Sequence, residues 1–191
     1  MKIAIACDHR GFSVKQTLKV WLQEHGHEVV DLGTYTDQAC DYPDMALAAG
    51  VSIFNKEVER AVLICGTGIG MSMAVNKVPG VRGALCHDQV SAELARRHND
   101  ANCLCLPGDM LTDGVAMQIA EVWLEVPFEG GRHERRLNKI REFEQKLLSG
   151  QICTNRPSGC IRGGGSRTGR QFAAERRGDA GEMEPLRARE Q

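Results

Sequence analysis

The sequence predicts a three-layer α/β/α sandwich around a five-stranded, parallel, Rossmann-like sheet. Three observations predict it. Short apolar runs alternate with segments of helical periodicity along residues 1–149. The runs are continuously apolar rather than alternating, so both faces of the sheet are covered. Polar and glycine-rich residues follow directly after the runs, where sheets of this kind bind ligands.

Residues 2–7 form the first run, followed by Asp8-His9-Arg10-Gly11. Residues 12–25 carry Phe12, Val14, Leu18, Trp21 and Leu22 at helical spacing, and Gly26 suits the stop. A second strand covers 28–32. A polar loop follows over 33–42, and Pro43 suits the first turn of a helix through about Phe54. The third strand is 60–65. A short helix over 71–76 is closed by Pro79-Gly80, and a fourth strand covers 81–86. A helix over 88–98 has Asp88 or Ser91 near its start. The fifth strand is 102–106. Thr112 caps a helix running to about Glu125, which Pro127 ends. Residues 132–148 are a last, strongly charged helix after Glu129-Gly130-Gly131. From residue 150 to 191 Arg, Gly and Glu dominate without apolar periodicity, so a disordered tail is expected beyond a 1–149 domain.

Composition excludes several classes. The 191 residues suffice for one domain with a real core. A net charge of -1 gives no basic excess for nucleic acid or a membrane surface. No apolar run has the length of a membrane span, and the N-terminus lacks a secretory pattern, so a cytoplasmic protein is expected. Eight cysteines occur without a CxxC pair, mostly in apolar runs, which reads as reduced core thiols. The histidines are scattered and never fall at zinc-finger spacing, so no metal is expected.

The chemistry gathers around residues 61–72. An apolar strand ends at Cys65, and Gly66, Gly68 and Gly70 follow at alternate positions before a helix begins. Backbone amides in such a loop point at an anion. A Walker loop is excluded because no Gly-Lys-Ser/Thr follows. Dinucleotide binding is a rival, since Asp88 lies about 20 residues on, where the ribose acid of that motif falls. The spacing counts against it: GxGxG, with Met71 in place of the third glycine of GxGxxG. A site for a small phosphate or an enolate-like oxyanion remains. Cys65 by position is an ordinary buried cysteine, but beside the loop amides it is also a candidate thiolate. His98 ends a helix, where histidine commonly meets the helix dipole. Asp8 and His9 follow the first strand, where a ligand is expected. Arg132 and Arg136 are four apart on one helix face and can grip a phosphate through forked donors.

Six motifs in order resemble ribose-5-phosphate isomerase B and the related galactose- and allose-6-phosphate isomerases. They are Cys-Asp-His at 7–9, Asp-Tyr-Pro at 41–43, Ile-Cys-Gly-Thr-Gly-Ile-Gly at 64–70, Ala-x-Asn-Lys at 74–77, Arg-His-Asn-Asp at 97–100 and Glu-Gly-Gly-Arg-His at 129–133. The resemblance spans residues 1 to about 149. It implies aldose–ketose isomerisation of a small phosphorylated sugar through a cis-enediolate, with no metal and no cofactor. It implies that Cys65 is the base, and that the amides of Gly66, Thr67, Gly68, Ile69 and Gly70 hold the enediolate oxygen. His98, aided by Thr67 or Asp8, would open the sugar ring. Asp8, His9, Tyr42 and Asn99 would contact substrate, and Arg132 and Arg136 would bind phosphate. It also implies a homodimer or a dimer of dimers, with the last helix packed on a partner subunit and the site completed across the interface.

One position departs from that pattern. Relatives often carry an arginine in the turn after the fifth strand, and this chain has Asp109. An acid repels phosphate, so the length of the sugar stays open. Ribose 5-phosphate is the first expectation. A tetrose 4-phosphate, an allose or galactose 6-phosphate, or a non-catalytic sugar-phosphate-binding module are the alternatives.

Overall fold

The computed structural model describes residues 1–151. The expected tail beyond that point lies outside the described residues. The strands are β1 (Lys2–Cys7), β2 (Glu28–Asp31), β3 (Arg60–Cys65), β4 (Gly83–Leu85) and β5 (Cys103–Pro107). The helices are α1 (Phe12–Glu24), α2 (Tyr42–Phe54), α3 (Ile69–Val75), α4 (Gln89–Asn99), α5 (Asp113–Glu125) and α6 (Arg132–Leu148). The five strands form one all-parallel sheet in the order β2-β1-β3-β5-β4.

Side-chain alternation divides the core in two. Ile3, Ile5, Val62, Ile64, Leu104 and Leu106 face one side, against Leu18 and Leu22 of α1 and Ile119 and Trp123 of α5. Ala4, Ala6, Ala61, Leu63 and Cys103 face the other, against Ala46 and Ala49 of α2 and Met71 and Val75 of α3. Both faces are buried, as continuous apolar runs require. The second face is rich in alanine, which lets α2 approach closely. Gly50 of α2 serves the same end, since a Cβ there would lie 2.7 Å from Val78.

Two elements differ from the sequence expectation. The fourth strand shrinks to Gly83–Leu85 because it is an edge. Arg82 just before it is claimed by Asn102 Oδ1, which accepts from Arg82 N at 2.7 Å. The third helix starts earlier, at Ile69, because Gly68 turns the chain with a φ of 70°. Asp88 settles a rival reading. It caps α4 in a capping box, with Oδ1 accepting from Ser91 N at 2.6 Å. A carboxylate committed to a cap is not the ribose acid of a dinucleotide site.

The order reverses between β1 and β3, which makes their carboxyl ends the switch point where ligands bind. Cys7 pairs with Ile64, so Asp8 and Cys65 end neighbouring strands. Beside them, Lys15 holds the loop after β2. Its fully buried ammonium donates to Asp31 Oδ1 and Thr34 O, both at 2.7 Å. Lys19 donates to the other Asp31 oxygen at 2.8 Å. Burial pushes the Asp31 carboxyl up, but the hydrogen bonds from Lys15, Lys19 and Gly33 N outweigh it, and its pKa falls below the ordinary value.

Breaking this pair leaves an uncompensated buried ammonium. Asp31→Asn is expected to lose about 3–5 kcal/mol of stability in urea unfolding near neutral pH. The folded carboxyl holds its proton less tightly than the unfolded one, so the pair's contribution is present above the unfolded value near pH 4 and fades as pH falls through the folded value. The gap between wild type and variant should therefore narrow on acidification. A gap that widens contradicts this account.

Candidate active site

A shallow cleft of about 160 Å³ lies at the switch point, lined by Asp8, Arg10, Tyr42, Cys65, Gly66, Thr67 and Gly70. Cys65 ends β3 and is 4% exposed. The loop after it is tied to the turn after β5: Gly108 N donates to Cys65 O at 2.8 Å, and Asp109 N to Gly66 O at 3.1 Å. Among the described residues, no protein acceptor meets the amides of Gly66, Thr67, Gly68 or Gly70. Ile69 N reaches only Thr67 Oγ1, at 3.4 Å. Unpaired amides can hold an oxyanion, and these lie beside a thiol.

The glycines have separate reasons. Gly68 takes the left-handed region, and a Cβ there would meet Leu85 at 2.5 Å. A Cβ on Gly70 would strike the Tyr42 ring at 2.7 Å, so the ring lies directly over the loop. Asp8 caps the 3-10 turn His9–Gly11, with Oδ1 accepting from Arg10 N at 2.9 Å and Gly11 N at 3.1 Å. Among the described residues, no donor meets Oδ2. His9 Nδ1 accepts from Cys40 N at 3.3 Å, which leaves the proton on Nε2.

The thiols differ in availability. Burial pushes Cys7 and Cys86 up to about 12. Cys105 is raised well above its ordinary value by its hydrogen bond with Cys103 and by burial. These three stay protonated and inert at neutral pH. Cys65 is the thiol that lines the cleft.

His98, Asn99, Arg132 and Arg136 do not line this cleft. In a parallel sheet each helix runs back from the carboxyl edge to the amino edge. His98 and Asn99 end α4 just before β5 starts, and Arg132 opens α6 after α5 has made the same return. Within one chain the sequence-predicted site residues therefore form two groups at opposite edges of the sheet.

The second group has its own order. The His98 and His133 rings stack, 4.2 Å apart and parallel within 2°. Glu129 Oε2 lies 3.8 Å from His98 Nε2 and 3.6 Å from His133 Nε2, and Glu129 is also paired with Arg97. Arg132 Nε donates to His133 Nε2 at 3.2 Å. Burial lowers the His133 pKa, helped by His98, Arg132 and Arg136, so the ring is neutral and able to accept. Arg136 is exposed one turn after Arg132. The end of α4 is fixed from below: Arg82 pairs with Asp100 at 2.8 Å and donates to Asn99 O at 3.0 Å, while buried Arg96 donates to Ala101 O at 2.6 Å.

Spacing did not reveal that His98, Glu129 and His133 meet, with ligand atoms within 4.8 Å of one another. Imidazole lone pairs lie in the ring plane, so parallel stacked rings do not converge on one cation. With Arg97, Arg132 and Arg136 around it, the cluster suits an anion better than a metal. Sequence reasoning also missed Arg10, a lining residue of the cleft. Its only signal was its place three residues past a strand end.

The fold and the cleft define an α/β protein with a thiol beside unpaired amides at the switch point of a parallel sheet. A family model described as Ribose/Galactose Isomerase matches residues 3–140. The chain is 41% identical over 145 residues to ribose-5-phosphate isomerase B of Escherichia coli (strain K12), across 76% of this chain and 97% of that protein. Its structure is similar to ribose-5-phosphate isomerase B of Clostridium thermocellum, with a TM-score of 0.76 and 42% identity over 77% of this chain and 99% of that one. It is also similar to the Mycoplasma genitalium ribose-5-phosphate isomerase B with bound ribulose 5-phosphate, at TM-score 0.73 and 42% identity over 76% and 97% of the two chains. The chain belongs to the ribose/galactose isomerase family, and it is a sugar-phosphate isomerase of the ribose-5-phosphate isomerase B type.

Gly68→Ala tests the loop. A left-handed non-glycine residue costs roughly 1–2 kcal/mol, and the clash with Leu85 adds to it. A lower melting midpoint together with reduced turnover is expected. Unchanged values of both would show that the loop tolerates another backbone path.

Proposed function

We propose that the chain interconverts ribose 5-phosphate and ribulose 5-phosphate in the cytoplasm, with residues 1–149 as the isomerase domain. The observation that carries this reading is the conjunction at the switch point of one cleft thiol, Cys65, with a run of unpaired amides. Cys65 as thiolate takes the proton from C2 of the open-chain aldose. The electron pair moves toward the carbonyl, and the resulting enediolate oxygen is held by the amides of residues 66–70. A proton passes from O2 to O1 of the cis-enediolate, and the same thiol returns its proton to C1, which leaves the carbonyl at C2. A thiolate needs no metal for this and is a competent base near neutral pH.

Ring opening needs a proton donor and acceptor, which we assign to His98, with Thr67 or Asp8 on the other side. Asp8, His9, Tyr42 and Asn99 contact the sugar, and Arg132 and Arg136 bind its phosphate. Because the two groups lie at opposite sheet edges in one chain, this assignment requires a homodimer or a dimer of dimers in which one protomer brings His98, Asn99, Arg132 and Arg136 to its partner's Cys65. Two features support such packing. Ile140, Phe143 and Leu147 make an exposed apolar stripe on α6, and Val51, Phe54, Ile69 and Met73 are exposed on α2 and α3, the helices that pack beside the loop.

Cys65→Ala should fold normally and lose at least about a thousandfold in turnover, as expected for removal of a general base with its positioning. Incubation of ribose 5-phosphate in deuterated water should place deuterium on C1 of the ketose, and through the reverse step on C2 of the aldose, with wild type and on neither with the variant. Label incorporation by the variant at the wild-type rate contradicts Cys65 as base. Absence of both label and ketose with wild type, on four-, five- and six-carbon aldose phosphates, contradicts the activity itself.

A further inference from the structure

Arg10 and Asp109 follow β1 and β5, and β3 lies between those strands. Their side chains meet by crossing the end of β3. Arg10 Nη2 is ion-paired with Asp109 Oδ2. The pair passes directly over Gly66: a Cβ there would lie 2.6 Å from Asp109 Oδ2 and 2.8 Å from Arg10 Nε. Both ends are anchored. Asp8 Oδ1 holds the Arg10 amide, and Gly66 O holds the Asp109 amide.

The pair is half-exposed, with side-chain exposures of 58% for Arg10 and 32% for Asp109. Exposed pairs contribute little to stability. Its position says more. Arg10 is the one cation among the residues lining the cleft, where Asp8 is a carboxylate and Cys65, Thr67 and Tyr42 complete the polar set. A phosphate dianion entering between Asp8 and an unpaired Asp109 would be repelled. Pairing cancels the second carboxylate. A guanidinium has five donors in a fixed fork, and one carboxylate oxygen leaves most of them for another anion.

We propose that Arg10 is the phosphate-binding residue contributed by the cleft itself, and that Asp109 is the positioning residue that holds it over Gly66. This rests on the sugar-phosphate reading above and deepens it. The acid at position 109 then has a role beside phosphate, as the anchor of the arginine from the neighbouring strand end. Because Arg10 lies against the residue next to Cys65, its place sets how far the phosphate sits from the reacting carbons, and so which sugar length fits.

The test uses the full chain and two readouts. In the Cys65→Ala background, binding of inorganic phosphate is measured by calorimetry. Adding Arg10→Ala should weaken it about tenfold or more, the worth of one charge-assisted contact, and Arg10→Lys should recover part of the loss. In the active enzyme, Arg10→Ala should raise KM for ribose 5-phosphate far more than it lowers kcat. Asp109→Asn should shift KM in the same direction by less, with Asp109→Glu closer to wild type. Unchanged phosphate affinity in Arg10→Ala overturns the proposal. So does a fall in kcat with KM and phosphate affinity intact, which would place Arg10 at the reacting end. The calorimetric arm needs no turnover, so it reads Arg10 even if the isomerase assignment fails.

Discussion

In a parallel sheet every strand ends at the same edge, so every connecting helix must carry the chain back to the other. That constraint organises this molecule. Asp8, Cys65 and Asp109 end or follow β1, β3 and β5, and the register brings them side by side although they are far apart in sequence. The same rule sends His98, Asn99, Arg132 and Arg136 to the opposite edge. One chain therefore holds a thiol with an amide-lined cleft, and separately a basic cluster with two stacked imidazoles. On the proposed reading, a complete site needs both halves.

Local interactions sharpen each half. At the carboxyl edge, Gly66, Gly68 and Gly70 leave space for three different neighbours, the Arg10–Asp109 pair, Leu85 and the Tyr42 ring. The loop is a packed object whose free amides are left over after its shape is fixed. Lys15 and Asp31 brace the flank of the same edge. At the amino edge, Arg82, Arg96 and Asp100 tie down the end of α4, so the imidazole of His98 meets that of His133 at a defined angle. Burial keeps Cys7, Cys86 and Cys105 as thiols. The remaining described thiol at the cleft is the one beside the amides.

Much of this was legible in the sequence. Continuous apolar runs such as residues 60–65 and 102–106 announce buried parallel strands, and Thr112 and Pro127 mark the ends of α5. The glycine loop and Cys65 stand out because their spacing breaks the helical and strand periods. Pairings between distant residues were not legible. Arg10 and Asp109 are separated by almost the whole domain, and only the strand order puts them across Gly66. The cluster of His98, Glu129 and His133 was hidden for the same reason. Asp88 shows the converse error: its distance from the glycine loop fits a ribose acid, yet its local geometry with Ser91 makes it a cap.

On the proposed reading, a working site joins Cys65 of one protomer to His98 of another. Subunit mixing measures it most directly. Cys65→Ala and His98→Asn variants, each inactive alone, are co-refolded in equal amounts. A shared site leaves one intact Cys65–His98 combination in each mixed dimer, so turnover should return to about a quarter of wild type for random pairing. Mixed dimers, verified as formed, that remain inactive would contradict the account and place both residues of each site in the same chain.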